Sequence, residues 1–293
     1  MDGPASGATS PDNPANPANA ADADEHGAAA GASVAATGFG LKGPRGWAFR
    51  GVDVDAAAGS LVAVEGPSGS GRTCLLLALT GRMKPSEGTA RVGGMRLPKQ
   101  LTAVRRMSAL AHVPGVTELD PALTVAEHLR EQALLQRRFD GTLRGLLRTP
   151  AERRAEASLR IDAALAAAGL DTETLPKGSR TSVRDLERLE ALRLSLALAL
   201  IGRPRLIGVD DTDLKLADVE RAEIWAQLRA VAGSGTTVVA VCSEAPAGAV
   251  VVSTAPVNTT NDTANDTTND TADESADGTV KETADALAEA RRA

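Results

Sequence analysis

Aromatic residues are nearly missing: three Phe, two Trp and no Tyr in 293 residues. A core must then be built from Ala, Leu and Val. A stacking platform for single-stranded nucleic acid, which needs exposed rings, is excluded. Excess positive charge is missing too: 38 acids outnumber 32 Lys and Arg, for a net charge of −6, which argues against nucleic acid as a partner. Cysteine is scarce, and Cys74 and Cys242 both sit in apolar stretches. They read as small core residues of a reducing compartment, not as a disulfide framework. His26, His112 and His128 are scattered, so no zinc spacing arises. Long apolar runs are also absent; the greasiest, Ala191 to Ile201, is too short for a bilayer and carries Arg193. The start, Met1-Asp2-Gly3, has neither a basic nor an apolar leader region, so no secretory signal is expected. The expectation is a cytoplasmic chain that reaches a membrane only through another protein.

What is present divides the chain in three. Residues 1–36 are Ala, Asn, Pro, Gly and Asp with almost no large apolar side chain, so they cannot bury enough surface to offset chain entropy and are expected to be disordered. From 253 to 293 runs an acidic low-complexity tail in which Asn-Asp-Thr recurs at Asn261, Asn265 and Asn269. Val280 to Arg292 is expected to form a short helix, with acids early and Arg291-Arg292 at its end. Between the tails, at 37–252, short apolar runs at Leu61–Val64, Ser108–Val113, Leu206–Val209, Thr236–Val241 and Val250–Val252 alternate with helical spacing. Unbroken apolar strands between helices predict an α/β fold with a parallel sheet covered on both faces. The helical stretch from about 116 to 200, broken near Gly141, Thr149-Pro150 and Gly169, is expected to be a separate subdomain.

Gly66-Pro67-Ser68-Gly69-Ser70-Gly71-Arg72-Thr73 follows a strand and opens a helix. It fits a Walker A phosphate loop with Arg in place of Lys. Glycines let backbone approach phosphate oxygens closely, and the helix N-terminus faces the anion. Arg72 supplies positive charge as a planar fork bulkier than an ammonium. Thr73 is a Mg²⁺ ligand in this reading, and Cys74 closes the binding segment. A second site follows the strand at Leu206–Val209: Asp210 as the Mg²⁺ carboxylate and Asp211 facing the attacking water. Taken alone, two acids after a strand are as readily a solvated turn; paired with the loop, they read as a metal site.

The order of these motifs resembles the ATP-binding subunit of an ABC transporter. His112-Val113-Pro114-Gly115 is similar to that family's Q-loop, and Pro121 to Leu129 to the segment after it. Leu194 to Asp211 resembles its signature helix and Walker B strand, and Thr236 to Val241 the strand before its switch histidine. The likeness covers about 37–252 and implies a P-loop fold that binds ATP and Mg²⁺, a transmembrane permease as partner, and a homo- or heterodimer of ATP-binding subunits held at the inner face of the membrane.

Several positions depart from the family. Besides Arg72, Gly115 stands where the Q-loop Gln belongs, and Leu186-Glu187-Arg188-Leu189-Glu190 replaces Leu-Ser-Gly-Gly-Gln. Asp211 replaces the catalytic Glu, and Ser243 the switch His. Two readings stay open: a transporter ATPase, or a regulatory or structural subunit with little or no hydrolysis. A DNA-repair or translation ATPase would need a coiled coil, a second cassette or a basic arm, none of which is present. The adenine-stacking aromatic expected before the loop is Trp47 or Phe39, with Trp47 and Phe49 as ordinary core side chains the competing reading. In the helical insert, Leu123, Val125, Leu129, Leu134 and Leu135 supply apolar surface for a permease helix or for the subdomain's own core. Arg137-Arg138, Arg144, Arg148 and Arg153-Arg154 read as a solvated helix face.

Overall fold

The computed structural model describes residues 31–44, 46–139 and 149–255, all within one compact unit that ends at Pro256. The expected tail over 1–30, the Asn-Asp-Thr repeats, the helix over Val280–Arg292 and Gly141, Arg144 and Arg148 lie outside the described residues.

A parallel sheet forms where the apolar runs predict one. Its strands are β3 (Leu61–Glu65), β6 (Ser108–Leu110), β7 (Leu206–Val209), β8 (Thr237–Val241) and β9 (Val250–Ser253), in the order β6-β7-β8-β3-β9 and all parallel. Every residue of β7 and β8 is buried, as a strand covered on both faces requires. On one face lies α1 (Arg72–Leu79), whose Leu75, Leu76, Ala78 and Leu79 pack with Val62, Val64, Val239 and Val241. The other face carries α5 (Arg188–Ile201) and α6 (Asp218–Gly233), which pack Leu192, Leu196, Ile224 and Leu228 on Ala63, Ile207 and Ala240. The short α2 (Leu101–Met107) leads into β6.

The sequence pattern gave no sign of a second sheet. β1 (Val34–Gly43), β2 (Gly46–Ala56), β4 (Glu87–Val92) and β5 (Met95–Leu97) pair antiparallel in the order β2-β1-β4-β5. Their inward residues, among them Phe39, Phe49, Val52, Val54 and Val92, join the core around α1. This sheet corrects the expected boundary at 37. Val34 and Ala36 are buried within β1, and the Ala32 amide donates to the Arg205 carbonyl at 3.0 Å. Small side chains suffice there because ladder hydrogen bonds and one alternating face hold a strand. At the other end Thr254 is buried, so the ordered unit also passes 252. The strand expected over Ser108–Val113 stops at Leu110.

The helical insert has its own core: Val125, Leu129, Ala164, Leu170, Leu194 and Ile201. It contains α3 (Val125–Phe139) and α4 (Pro150–Ala168) as well as α5. The breaks predicted at Thr149-Pro150 and Gly169 are helix ends. Thr149 and Glu152 form a capping box with Pro150 in the first turn, and Gly169 closes α4 at φ 67°, the left-handed conformation that glycine adopts without strain. No helix of the described residues is long and apolar enough to cross a membrane.

Candidate nucleotide site

β3 runs through the parallel sheet and delivers the loop 66–73 at its carboxyl end, where open α/β sheets bind ligands. α1 starts directly behind it. Gly71 is the N-cap residue at φ 82°, with no side-chain cap and no acid in the first turn. Its helix donors therefore stay available to an anion. A Cβ on Gly71 would stand 2.0 Å from the Ala48 carbonyl oxygen, and one on Gly66, at φ 150°, 2.5 Å from Thr254 Oγ1. The loop is thus close-packed behind and open in front, where Pro67, Ser68 and Gly69 are exposed. Thr254 braces it: its hydroxyl lies 2.6 Å from Ser70 Oγ, and its amide donates to the Glu65 carbonyl at 2.9 Å. Cys74 is half-buried; burial first, then the charge of Asp210, raises its pKa, which keeps it a thiol.

Opposite the loop, β7 ends in Asp210 and Asp211. The Thr73 hydroxyl donates to Asp210 Oδ2 at 2.6 Å, across 137 residues of chain. Asp210 Oδ1 accepts the Asp211 amide at 2.9 Å, and the Asp210 amide donates to the His112 carbonyl at 2.6 Å. Burial raises the Asp210 pKa, outweighing the pull of the Thr73 and Asp211 hydrogen bonds. Asp211 sits at φ 47°, an uncommon conformation for a residue with a Cβ. Its carboxylate makes no hydrogen bond or ion pair among the described residues. Arg72 turns away from the loop: Nη1 donates to the Cys242 carbonyl at the end of β8, at 2.6 Å.

Several residues at the site escaped the sequence reading. Asp213 is buried and accepts the amide of Ser243 at 2.8 Å and that of Glu244 at 3.4 Å, so it anchors the segment after β8. Thr254 braces the loop from 184 residues away. Arg188, within the stretch that replaces Leu-Ser-Gly-Gly-Gln, turns inward: Nη1 lies 3.2 Å from His112 Nε2, and Nη2 donates to the Asp211 carbonyl at 3.4 Å. The acidic neighbours Asp210-Asp211-Thr212-Asp213 were the one available signal for Asp213. Nothing local marks Thr254.

The aromatic candidates separate. Phe39 and Phe49 are core, their ring centroids 5.8 Å apart. Trp47 is 40% exposed with the Arg50 guanidinium 4.6 Å from its ring centroid, so the core reading fails for Trp47 and holds for Phe49. The apolar residues of the insert separate as well. Val125 and Leu129 are buried in the subdomain core, whereas Leu134 and Leu135 are exposed. Leu123, Leu135 and Val116 line a cleft of about 680 Å³ between the segment after β6 and helices α3 and α5, with Arg82, Glu118 and Glu131 among its polar lining.

The residues present fit a magnesium–phosphate ligand better than a bare metal. Among the described residues no group of three or more His, Cys, Asp or Glu is arranged to hold an ion. Thr73 and Asp210 would supply two oxygen ligands, the sparse set that suits Mg²⁺ when substrate phosphates provide others.

The family profile described as ABC transporter matches residues 49–213. The daunorubicin resistance ATP-binding protein DrrA3 of Streptomyces coeruleorubidus is 30% identical over 191 residues, 65% of this chain and 54% of that protein. The cytochrome c biogenesis ATP-binding export protein CcmA of Cupriavidus necator is 33% identical over 165 residues, 56% of this chain and 64% of its own. The chain thus spans between about half and two thirds of these relatives. Among solved structures, the dimeric post-hydrolysis state of an ATP-binding cassette bound to ADP and Pi superposes with a TM-score of 0.55 at 23% identity, over 72% of this chain and 88% of that one. That likeness shares the fold.

Proposed function

This chain belongs to the ABC transporter family, and from that premise we propose that it is the ATP-binding subunit of a membrane transporter, acting at the cytoplasmic face through a permease. The observation that carries the reading is the 2.6 Å contact of Thr73 with Asp210 beside a glycine-lined loop and an uncapped helix N-terminus. In this reading the amides of 66–73 and the start of α1 hold the triphosphate, and Arg72 adds positive charge. Thr73 and Asp210 hold Mg²⁺, which when bound neutralises charge on the phosphate oxygens. Asp211, one methylene shorter than Glu, orients the attacking water. DrrA3 and CcmA are named as ATP-binding proteins, in keeping with this assignment; the comparisons lend no support to a degenerate subunit with little or no turnover.

The cleft between the segment after β6 and α3 and α5 is the proposed seat of a permease helix. Leu123, Leu135 and Val116 offer apolar contact, and Arg82, Glu118 and Glu131 polar partners. A second ATP-binding subunit, of this chain or a related one, completes the assembly.

Calorimetry of the full chain with Mg-ATP, paired with single-turnover hydrolysis, tests the proposal. Wild type should bind, Thr73→Ala and Asp210→Ala should lose Mg-dependent affinity, and Asp211→Asn should bind yet turn over more slowly by about 100-fold. Absence of binding, with and without a candidate permease, overturns the nucleotide function.

A further inference from the structure

Resting on the nucleotide reading above, we propose that Arg188 is a positioning residue: with His112 it holds the Asp210–Asp211 turn in the shape that aims the Asp211 carboxylate. Four hydrogen bonds close a ring. Arg188 Nη1 meets His112 Nε2 at 3.2 Å, and the His112 carbonyl takes the Asp210 amide at 2.6 Å. Asp210 Oδ1 takes the Asp211 amide at 2.9 Å, and the Asp211 carbonyl takes Arg188 Nη2 at 3.4 Å. Every residue of the ring touches the next through atoms that leave the Asp211 carboxylate free.

Three further facts give the ring its task. Asp211 holds φ 47°, a conformation that aspartate tolerates better than most residues but that still costs backbone energy its contacts help to offset. Its carboxylate has no partner among the described residues, so the backbone of the turn sets the origin and direction of its Cα–Cβ bond, from which the rotamers at χ1 follow. The Arg188 Nε is buried without a hydrogen-bond partner, an unfavourable placement that the contacts of its two other nitrogens must offset.

The source of Arg188 matters as well. It is the first residue of α5, the helix whose Leu194 and Ile201 belong to the core of the helical insert. The contact therefore runs from the insert to the strand end that bears both acids. A displacement of α5 would be felt at Asp211 without passing through the phosphate loop.

The arrangement dictates a tautomer. Guanidinium nitrogens only donate, so His112 Nε2 must accept and the ring proton must reside on Nδ1. Burial and the Arg188 charge disfavour a second proton, against the opposite pull of Asp211, Asp210 and Glu118.

The test uses the full chain labelled with ¹⁵N at histidine and at the backbone, without nucleotide. With three histidines in the sequence, His112 is assigned by the signal lost in His112→Gln. Wild type should show His112 as the Nδ1–H tautomer. Arg188→Met should convert it to Nε2–H and speed exchange of the Asp211 amide by about tenfold or more, while Arg184→Met, an exposed control, should do neither. Arg188→Lys, which keeps one donor, should restore part of the protection. In single turnover with Mg-ATP, Arg188→Met should slow hydrolysis by about 100-fold with nucleotide affinity held within about twofold. An Nε2–H ring in wild type, or unchanged Asp211 exchange in Arg188→Met, overturns the proposal. Absence of Mg-ATP binding in wild type sinks the nucleotide reading instead, and the exchange result still decides whether Arg188 holds the turn.

Discussion

Two helices of this chain begin in opposite ways. α1 starts behind Gly71 with no side-chain cap and no acid in its first turn. α5 starts behind Glu187, whose amide donates to Glu190 Oε2 at 2.8 Å, with Glu190 an acid in its first turn. The same backbone dipole meets no acidic side chain at one end and the negative charge of Glu187 and Glu190 at the other. A helix N-terminus attracts an anion only where its donors are free and its neighbours are not negative. In α5, moreover, Leu189 is buried, where close backbone approach would need a glycine. Of these two helices α1 thus has the open start and α5 the closed one, and the guanidinium between Glu187 and Leu189 is turned inward to Asp211.

The largest effect is expected from spoiling the open start. Gly71→Ala sets a Cβ 2.0 Å from the Ala48 carbonyl oxygen at φ 82°, so β2 or the loop must move. A loss of about 3 kcal/mol of stability and of measurable Mg-ATP binding should follow, by thermal unfolding and calorimetry. Retention of both would mean that the loop is not close-packed against β2.

Asp210→Asn should separate stability from binding. The folded Asp210 carboxyl titrates above its ordinary value because burial disfavours its charge. Between the unfolded and folded values the native state holds a proton that the unfolded chain has released, so this contribution to stability is present at low pH and is lost as pH rises through the folded value. At neutral pH the buried charge is a cost. The nucleotide-free Asn variant should melt higher than wild type at pH 7, with the gap closing towards acid pH, while Mg-dependent nucleotide affinity falls. A lower melting temperature at pH 7 would contradict the burial argument.

Arg72→Lys gives up the 2.6 Å bond to the Cys242 carbonyl but keeps the charge. Stability should fall by about 1 kcal/mol, and nucleotide affinity should stay within about fivefold. A complete loss of affinity would show that the fork geometry itself is required. The smallest change is expected at the closed start: Glu190→Gln keeps the acceptor for the Glu187 amide and should cost at most about 0.5 kcal/mol, whereas Glu190→Ala removes it and should cost about 1 kcal/mol, both read by denaturant unfolding. Neither should alter Mg-ATP affinity, because the donors of α5 do not belong to the loop at 66–73.

Much of the site was legible because its signals are local. Gly66, Gly69 and Gly71 mark a tight loop, the run Leu206–Val209 marks a buried strand, and Thr149-Pro150 and Gly169 mark helix ends. The antiparallel sheet was not legible: β1 opens on Val34-Ala35-Ala36, which as a sequence is indistinguishable from the Ala-rich stretch before it. Of the two readings of Trp47, the core one fails because the cations of Arg50 and Lys42 lie over its ring and leave it 40% exposed.

By itself the sequence determined which backbone segments form the parallel sheet, which turn is glycine-lined, and where α4 of the insert begins and ends, since each depends on residues within one or two turns of chain. Only the tertiary structure decided that Thr73 meets Asp210, that Thr254 braces Ser70, and that Arg188 faces His112. Those pairs are 137, 184 and 76 residues apart, and strand order in the sheet, not propensity along the chain, brings them together. Contacts of that range arise from packing of buried faces, which no local pattern encodes.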